Sequence, residues 1–266
     1  MATEKQRREA ARRKLERQIE RREELERQRK NRMAWMWGVA GLLVVALIIF
    51  LVVVNSSDSD GKDNQAGGPG ACDYQTDPTS DLAVGLPPTD DVPKKGTVTL
   101  DVTTSAGAMV FSLDRASAPC AVNSFEYLAS QGFFDGSPCH RLTTEEAGFG
   151  VLQCGDPTGQ GTGGPGYQFA NEYPTDQYQP DDPKLQQPVI YPRGTLAMAN
   201  AGPGTNGSQF FLVYKDSTLP PNYTVFGTID QTGLATLDKI AAAGTKDGGE
   251  DGAPKLDVTI KQLQLD

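Results

Sequence analysis

The sequence is poor in the residues that build the commoner catalytic centres. It has one histidine, His140, among 266 residues, which excludes a metal site of several histidines. It has no Cys-x-x-Cys pair, so its four cysteines lack the spacing of a zinc site. No Gly-x-Ser-x-Gly elbow supplies a nucleophile for a hydrolase built on His140. We predict no metal and interpret His140 as structural.

A glycine-rich run at residues 155–166 is the feature that could suggest a nucleotide. It contains Gly161-x-Gly163-x-x-Gly166 and follows a predicted strand. A dinucleotide site needs a helix to begin here, so that its N-terminus meets the pyrophosphate. The residues that follow have no helical apolar period, which indicates a turn-rich loop. No cofactor is therefore predicted.

Basic charge is scarce beyond residue 32. Residues 1–32 hold 13 of the 25 Lys and Arg and 7 of the 34 Asp and Glu, so the rest of the chain has a net charge of −15. An acidic surface repels nucleic-acid phosphates, and no nucleic-acid partner is predicted. Residues 1–32 themselves are predicted to be a charged helical segment. A weak coiled coil and a stretch lying on the membrane surface are the alternatives.

Charge is absent from residues 33–54, MAWMWGVAGLLVVALIIFLVVV. A helix rises ~1.5 Å per residue, so ~20 apolar residues cross the ~30 Å hydrocarbon layer of a bilayer. Trp35 and Trp37 lie at the edge of the run, as interfacial aromatic residues do. A cleaved signal peptide is the alternative, but its basic region would be too long and no small-x-small site precedes Asn55. We predict a transmembrane anchor in contact with the lipid bilayer.

The orientation of this anchor follows from the charges around it. The basic residues precede the span and an acidic stretch follows it. By the positive-inside rule the N-terminus lies in the cytoplasm and the chain after Val54 lies outside. All four cysteines fall on that outer side, where disulfides persist. The predicted localisation is the cell membrane, single-pass, with an extracytoplasmic domain.

The outer part of the chain is predicted to have two regions. Residues 55–94 are rich in Gly, Pro, Asp, Ser and Thr, which indicates a flexible linker. Cys72 is the exception, because a cysteine there can tie the linker to the domain. Residues 95–266 form the predicted folded domain.

Apolar periodicity predicts the elements of this domain. One helix begins at Pro119 and ends at Gly132, and a second covers 234–241 and ends at Gly244. Strand patterns occupy 98–104, 108–114, 139–144, 151–156, 195–200, 209–214, 225–229 and 257–265. We predict a mainly β fold, a closed eight-stranded antiparallel barrel capped by two α-helices, because closure removes exposed strand edges.

The segment TLAMANAGPGTNGSQFFLVY, residues 195–214, resembles the signature of the cyclophilin family. Further motifs stand in the family's order: Phe125, His140-Arg141, Gln153 with Gly155-Asp156, Gly161-Thr162-Gly163-Gly164, and Val225-Phe226-Gly227. The resemblance covers about residues 97–265. It implies a cyclophilin-like barrel that acts as a peptidyl-prolyl cis-trans isomerase, with proline-containing polypeptides as its partners.

The resemblance implies roles for particular residues. Arg141 is expected to stabilise the twisted prolyl amide without a covalent intermediate, and Gln153 to orient it or hold the substrate carbonyl. Phe211 is expected to form the floor of the proline pocket, while Phe210 points to the core on the other face of the strand. The other expected substrate-binding residues are Asn200, Ala199, Ala201, Gln209, Gly161, Val151, Leu219, Tyr223 and Phe149.

Three positions depart from the family pattern. The stretch 142–150 is a few residues longer than the common family hairpin, and Phe149 is displaced by one position. Thr218 stands where many members have tryptophan, which predicts weak cyclosporin binding. Tyr223 replaces a frequent histidine, and both offer a flat ring with a polar tip.

The alignment with the family also implies a disulfide pairing. It places Cys139 and Cys154 on adjacent antiparallel strands, within bonding distance. Cys72 and Cys120 then remain to fasten the linker to the first helix. Two other connectivities are possible for four cysteines.

Two functions other than catalysis fit parts of the sequence. A proline-binding chaperone or holdase without turnover would keep Phe211 and Asn200. A purely structural envelope protein would need neither. The presence of both Arg141 and Gln153 favours an isomerase that assists the folding of secreted or envelope proteins.

Overall fold

The computed structural model describes residues 72–77 and 84–265. The predicted charged segment (1–32) and transmembrane span (33–54) lie outside the described residues, as do 55–71 and 78–83 of the predicted linker. Among the residues described, no helix combines the length and the apolar character needed to cross a membrane.

The described part of the chain is mainly β, as predicted, with two α-helices. Its strands are β1 (Tyr74–Thr76), β2 (Thr97–Thr104), β3 (Ala108–Asp114), β4 (Arg141–Thr143), β5 (Gly150–Cys154), β6 (Tyr167–Phe169), β7 (Val189–Tyr191), β8 (Thr195–Met198), β9 (Phe210–Lys215), β10 (Ser217–Leu219), β11 (Val225–Ile229), β12 (Asp251–Gly252) and β13 (Ile260–Leu265). The helices are α1 (Pro119–Ser130) and α2 (Gln231–Ala243). Short 3-10 turns occupy Glu145–Ala147, Thr175–Gln177 and Pro183–Gln186.

The main sheet corrects the prediction of a closed eight-stranded barrel. Nine antiparallel strands follow the order β12-β4-β5-β9-β8-β11-β3-β2-β13, and within the described residues the two outermost strands do not pair with each other. The ends of the sheet are linked by an isolated bridge between Pro138 and Thr259, and by the Cys139 N–H donating to the Val258 carbonyl (2.8 Å). The Ile260 N–H also donates to the Ser137 carbonyl (2.9 Å), so the two ends of the sheet meet over a few residues without a continuous ladder.

The core lies on the inner face of this curled sheet. In β2 and β3 every second residue is buried, which is the alternation expected of a sheet with one packed face. Phe125 of α1 lies in this core, with its ring centroid 5.2 Å from that of Phe210 and 5.1 Å from that of Phe226. Phe210 is thus a core residue, as its alternation with Phe211 predicts.

Both helices begin and end where local chemistry favours it. Pro119 occupies the first turn of α1, where a missing N–H has no cost. The Glu172 carboxylate accepts from the next two N–H groups, of Cys120 (2.9 Å) and Ala121 (2.8 Å). Asp230 caps α2 by accepting from Thr232 and Gly233. These contacts fix the helices across the sheet.

Part of the predicted flexible linker (55–94) is folded. β1 pairs antiparallel with β6, so that Tyr74 lies opposite Phe169. Tyr74 is buried, and its hydroxyl donates to the Cys120 carbonyl (2.8 Å). The Val84 N–H donates to the Pro165 carbonyl (3.2 Å). This segment has few apolar residues, and its order comes from tertiary contacts that composition does not reveal.

All four cysteines are paired in the expected way. Cys72 bonds to Cys120 and joins the β1 segment to α1. Cys139 bonds to Cys154 and joins the residues before β4 to the end of β5. The second bridge lies next to Arg141 and Gln153, so it ties together the two strands that carry them.

Candidate active site

An apolar cluster lies on the outer face of the sheet, around Phe211. Alternation along β9 points Phe210 inward and Phe211 outward, into a second buried cluster separate from the main core. We call this the outer cluster. Its buried members are Val151, Tyr191, Ala197, Phe211 and Val213, flanked by the partly buried Phe149, Val189, Ala199, Leu219, Tyr223 and Val225.

The outer cluster contains the residues that the resemblance assigns to the proline pocket. Val151, Leu219, Tyr223 and Phe149 all belong to it. The Tyr223 ring stands edge-on to Phe211, with centroids 5.4 Å apart and planes at 85°. An apolar floor with an aromatic edge is suited to a saturated ring.

Tyr191 is a member of this pocket that the sequence did not indicate. It is buried, and its hydroxyl donates to the Pro220 carbonyl (3.1 Å) and the Tyr223 carbonyl (3.2 Å). These bonds fasten the loop that carries Tyr223. Desolvation by burial raises the pKa of the Tyr191 hydroxyl, which therefore stays protonated as a donor. Tyr191 ends a three-residue strand, too short to give a periodic signal.

The lengthened stretch 142–150 leaves Arg141 opposite Gln153. The extra residues form the 3-10 turn Glu145–Ala147 and an irregularity in the register between Gly150 and Val151. A Cβ on Gly150 would lie 2.8 Å from the ring of Tyr214, so a side chain does not fit there. Farther from the turn, β4 and β5 pair regularly, with Leu142 opposite Leu152 and Arg141 opposite Gln153.

Phe149 stays beside Val151 in spite of its displacement. The Thr143 hydroxyl donates to the Phe149 carbonyl (2.8 Å) and accepts from the Val151 N–H (3.0 Å). Thr143 is fully buried, so these bonds are shielded from water. One side chain thus holds both residues at the edge of the outer cluster.

Arg141 stands at one end of a chain of hydrogen bonds along the groove. Its Nη1 donates to Gln153 Oε1 (3.1 Å), and Gln153 Nε2 donates to Gln209 Oε1 (2.9 Å). Gln209 Nε2 in turn donates to the Gly163 carbonyl (3.0 Å). Gln153 is therefore placed to orient Arg141, and Gln209 to orient Gln153.

Asp251 is a second partner of Arg141, and the sequence analysis did not include it. Its carboxylate accepts from Arg141 Nε (2.7 Å) and from Nη2 (2.6 Å). The bond to Arg141 holds the pKa of Asp251 below its usual range, and the same bond raises the pKa of the guanidinium. Asp251 begins the two-residue strand β12, which is too short for a sequence pattern to single it out.

Asn200 uses its side chain to hold its own loop. Its Nδ2 donates to the Asn222 carbonyl (2.8 Å) and to Asn206 Oδ1 (3.1 Å), and its Oδ1 accepts from the Gly202 N–H (3.2 Å). The N–H of Ala199 donates to the Gln209 carbonyl (2.9 Å). All three side-chain hydrogen bonds of Asn200 therefore go to its own loop and to the loop at Asn222.

The glycine-rich loop is organised by a buried carboxylate. Asp156 is fully buried and accepts from the N–H groups of Gly161 (2.6 Å), Gly163 (3.1 Å) and Thr158 (2.8 Å). These bonds lower the pKa of Asp156 against the effect of its burial. They place Gly161 next to the His140 ring. A Cβ built on Gly161 would lie 3.4 Å from that ring.

His140 has two buried ring nitrogens without a hydrogen-bond partner in the described structure. Desolvation by burial lowers its pKa. We infer a neutral ring that packs against the glycine-rich loop. Elsewhere in residues 72–77 and 84–265, no group of three or more His, Cys, Asp or Glu is placed to hold a metal ion.

A pocket of about 430 Å³ lies next to the outer cluster and to Gln209. Ala199, Ala201, Gln209, Gly163 and Tyr167 are among its lining residues. Ala199 also flanks the outer cluster, and Gln209 belongs to the hydrogen-bond chain from Arg141. The pocket and the outer cluster thus meet at Ala199, and the expected residues Asn200 and Gly161 are not among the residues of either one.

These features define a mainly β protein with two helices, whose outer face has an apolar cluster and an arginine held by Gln153 and Asp251. Residues 99–265 match a family model described as cyclophilin type peptidyl-prolyl cis-trans isomerase/CLD. The chain belongs to this family.

Individual relatives agree with this assignment. The chain is 60% identical over 198 residues to a probable peptidyl-prolyl cis-trans isomerase B of Mycobacterium leprae, which covers 74% of this chain and 65% of that protein. It is 60% identical over 197 residues to the protein of the same name in Mycobacterium tuberculosis strain H37Rv, covering 73% of this chain and 64% of the relative. The chain thus spans just under two thirds of the length of these relatives.

A crystal structure of a cyclophilin type peptidyl-prolyl cis-trans isomerase from Cryptosporidium parvum has a similar fold. Its TM-score is 0.51 at 29% sequence identity, and the match covers 64% of this chain and 98% of that one. The similarity includes almost the whole of the compared domain.

Proposed function

We propose that the chain is a peptidyl-prolyl cis-trans isomerase in which Arg141 stabilises the twisted prolyl amide. The observation that carries this proposal is the placement of Arg141 opposite Gln153, in the groove that begins at the outer cluster. Proline-containing polypeptides are the proposed substrates. The family assignment and the names of the relatives support the same activity.

The reaction needs no cofactor, because its barrier comes from the conjugation of the amide nitrogen with the carbonyl group. Rotation about an amide costs ~18–20 kcal/mol, since the nitrogen lone pair is delocalised into the carbonyl. In the twisted state that lone pair returns to the nitrogen and can accept a hydrogen bond. A guanidinium is always protonated and has fixed donor geometry, so Arg141 can donate to it. A donor that favours only the twisted state accelerates rotation without a covalent step.

The remaining residues bind and align the chain. Phe211, Val151 and Leu219 receive the proline ring, with Tyr223 and Phe149 at the rim. The Asn200 main chain, beside Ala199 and Ala201, pairs with the peptide backbone. Gln209 and Gly161 line the continuation of the groove toward the pocket next to the outer cluster. Thr218 is exposed beside Leu219 and stands where many family members have tryptophan. We therefore expect weak cyclosporin binding.

We further propose that the domain acts outside the cytoplasm, tethered through residues 33–54 to the lipid bilayer. The uncharged span, the basic segment before it and the two disulfides support this location. There the isomerase would assist the folding of secreted or envelope proteins.

Refolding of a client protein tests the proposal. The client is an unfolded protein whose slow phase is limited by one prolyl bond, and the catalyst is the full-length chain in a mild detergent. We expect the native chain to accelerate that phase. The acceleration by Arg141→Ala should be about a hundredfold smaller, the effect of removing a preorganised donor.

Arg115→Ala is the matched control, because Arg115 pairs with Glu126 away from the groove (2.8 Å). It is expected to keep full activity. Equal acceleration by Arg141→Ala would contradict the mechanism. Client binding without acceleration by the native chain would instead indicate a holdase.

A further inference from the structure

The ion pair between Arg141 and Asp251 is a two-point contact. Arg141 presents two adjacent N–H groups, on Nε and Nη2, to the two oxygens of one carboxylate at 2.7 and 2.6 Å. Such a two-point contact fixes the plane of the guanidinium as well as its position. A single hydrogen bond would leave that plane free to rotate.

The backbone under Asp251 is fixed to the strand that carries Arg141. β12 pairs with β4, so that Asp251 lies opposite Thr143 and Gly252 opposite Leu142. The Thr144 N–H donates to the Glu250 carbonyl (2.7 Å), next to Asp251. The arginine and its carboxylate therefore stand on neighbouring strands and move together.

The loop that leads to β12 is closed on itself. The Lys246 N–H donates to the Ala253 carbonyl (2.8 Å), and Thr245 pairs with Pro254 in an isolated bridge. Within this loop the Thr245 hydroxyl donates to the Gly249 carbonyl (2.7 Å). Asp251 thus lies on a paired strand enclosed by this loop, which restricts where its carboxylate can go.

The donors of Arg141 divide into two groups. A guanidinium has five N–H groups. Nε and Nη2 each give one to Asp251, and Nη1 gives one to Gln153. The two that remain are one on Nη1 and one on Nη2. Asp251 and Gln153 therefore engage three of the five donors and leave one on each terminal nitrogen for a ligand.

Stability alone does not account for this pair. The Arg141 and Asp251 side chains are 39% and 46% exposed. Ion pairs exposed to this degree contribute little to folding, because water screens the charges. Orientation is a different matter, since a donor already aimed at the reacting atom needs no reorganisation during the reaction.

We propose that Asp251 is a positioning residue for the isomerisation reaction, which holds the Arg141 guanidinium in the plane required to donate to the prolyl nitrogen. The proposal rests on the function proposed above for Arg141. Asp251 acts through Arg141 and does not touch the substrate. Its loss lowers the rate of rotation about the prolyl amide bond of the bound peptide and leaves the affinity for the peptide unchanged.

The test compares Asp251→Asn with the native full-length chain in detergent. Asparagine has nearly the same shape but lacks the charge and one acceptor oxygen. We expect kcat for an Ala-Pro peptide to fall about tenfold, the effect of weakening one charge-assisted contact, with Kd for the peptide unchanged. Asp251→Glu, which restores the carboxylate, should recover part of kcat. Near-UV circular dichroism checks that each variant keeps its tertiary packing.

Asp257→Asn is the matched control. Asp257 also pairs with a cation after α2, Lys246 at 2.6 Å, but has no contact with Arg141 among the described residues. It is expected to keep native kcat. A native kcat in Asp251→Asn, or an equal loss in Asp257→Asn, would overturn the proposal.

The double variant Arg141→Ala/Asp251→Asn separates this proposal from the one on which it rests. If Asp251 acts only through Arg141, the double variant has the same kcat as Arg141→Ala. A further loss, multiplying the two single effects, would assign Asp251 a separate role and overturn the inference. Native activity in Arg141→Ala would contradict the proposed mechanism itself, whereas an inactive Arg141→Ala with an unaffected Asp251→Asn would contradict only the inference.

Discussion

At the scale of single residues, the role proposed for Arg141 depends on the arrangement of its donors as well as on its charge. Arg141 uses three N–H groups on two partners, Asp251 and Gln153, and both contacts require the planar guanidinium. A lysine ammonium is a compact point charge and cannot make this two-sided contact. The shape of the donor therefore matters as much as its sign.

Arg141→Lys tests that distinction. We expect kcat/KM for a proline peptide to fall about tenfold or more, because the lysine keeps the charge but loses the fixed fork. A peptide isomerisation assay beside Arg141→Ala measures it. Full activity in the lysine variant would show that charge alone suffices.

His140 makes the free energy of unfolding depend on pH. Burial lowers its pKa in the folded protein below the ordinary value of 6.5. The unfolded chain then binds a proton more readily, so the contribution of a neutral His140 is fully present above pH ~6.5 and is lost as pH falls below it. Urea unfolding of the native chain and of His140→Gln at pH 7.5 and 5.5 measures this.

The comparison with His140→Gln isolates the histidine. Burial also raises the pKa of Glu172 to about 7, which acts in the opposite direction in the same range, but this effect is common to both proteins. We expect the stability advantage of the native chain over the variant to shrink at pH 5.5. A constant difference, or an NMR pKa of the single histidine at or above 6.5, would contradict the prediction.

At the scale of elements, the hairpin β4–β5 carries most of the proposed chemistry. It bears Arg141 and Gln153, and the Cys139–Cys154 bridge joins its two strands next to them. Its extra residues are confined to the 3-10 turn and the irregularity at Gly150, away from that pair. The insertion therefore lengthens the hairpin without changing its register at the site.

Removing the Cys139–Cys154 bridge should affect both stability and catalysis. For Cys139→Ser/Cys154→Ser we expect the free energy of unfolding to fall by ~2–4 kcal/mol, the usual contribution of a disulfide. We also expect kcat to fall, because the two strands lose their link beside Arg141. Urea unfolding and the peptide assay measure the two effects.

The other bridge provides the comparison. Cys72→Ser/Cys120→Ser should release the β1 segment, yet leave the pairing of Arg141 with Gln153 in place. We expect it to lower stability and to keep native kcat. Equal loss of kcat in both double variants would contradict the role assigned to the hairpin.

At the scale of the whole molecule, sequence patterns were informative where an element is long and periodic. β2, β3, both helices and β11 follow from alternation, helix-end signals and apolar spacing. The family motif places Phe211, Arg141 and Gln153, which strand pairing brings to one face of the sheet, and Asn200 in the loop after β8. Local pattern and tertiary structure agree at these positions.

The elements that the sequence missed are short and depend on distant partners. β1 has three residues and is held by β6 and the bridge to Cys120. β12 has two residues and forms because β4 offers an unpaired edge. Asp251 and Tyr191 lie on such elements, so neither could be assigned to the site before the topology was known.

The proposed topology of the whole chain can be tested by protease access. A tag is placed at the N-terminus and a second at the C-terminus, and spheroplasts producing the chain are treated with protease. We expect the C-terminal tag to be lost and the N-terminal tag to be protected, because the basic segment stays inside. Lysed cells, in which both tags should be cut, are the control. Protection of the C-terminal tag in intact spheroplasts would contradict the extracytoplasmic location.

The most direct test of the account is cis-trans exchange of an Ala-Pro peptide, followed by NMR. The full-length chain in detergent is expected to raise the exchange rate far above the uncatalysed rate, which has a half-time of about tens to hundreds of seconds. Arg141→Ala is expected to bind the peptide equally well and to lose most of that acceleration. Equal exchange rates in the two proteins would contradict the claim that Arg141 stabilises the twisted amide.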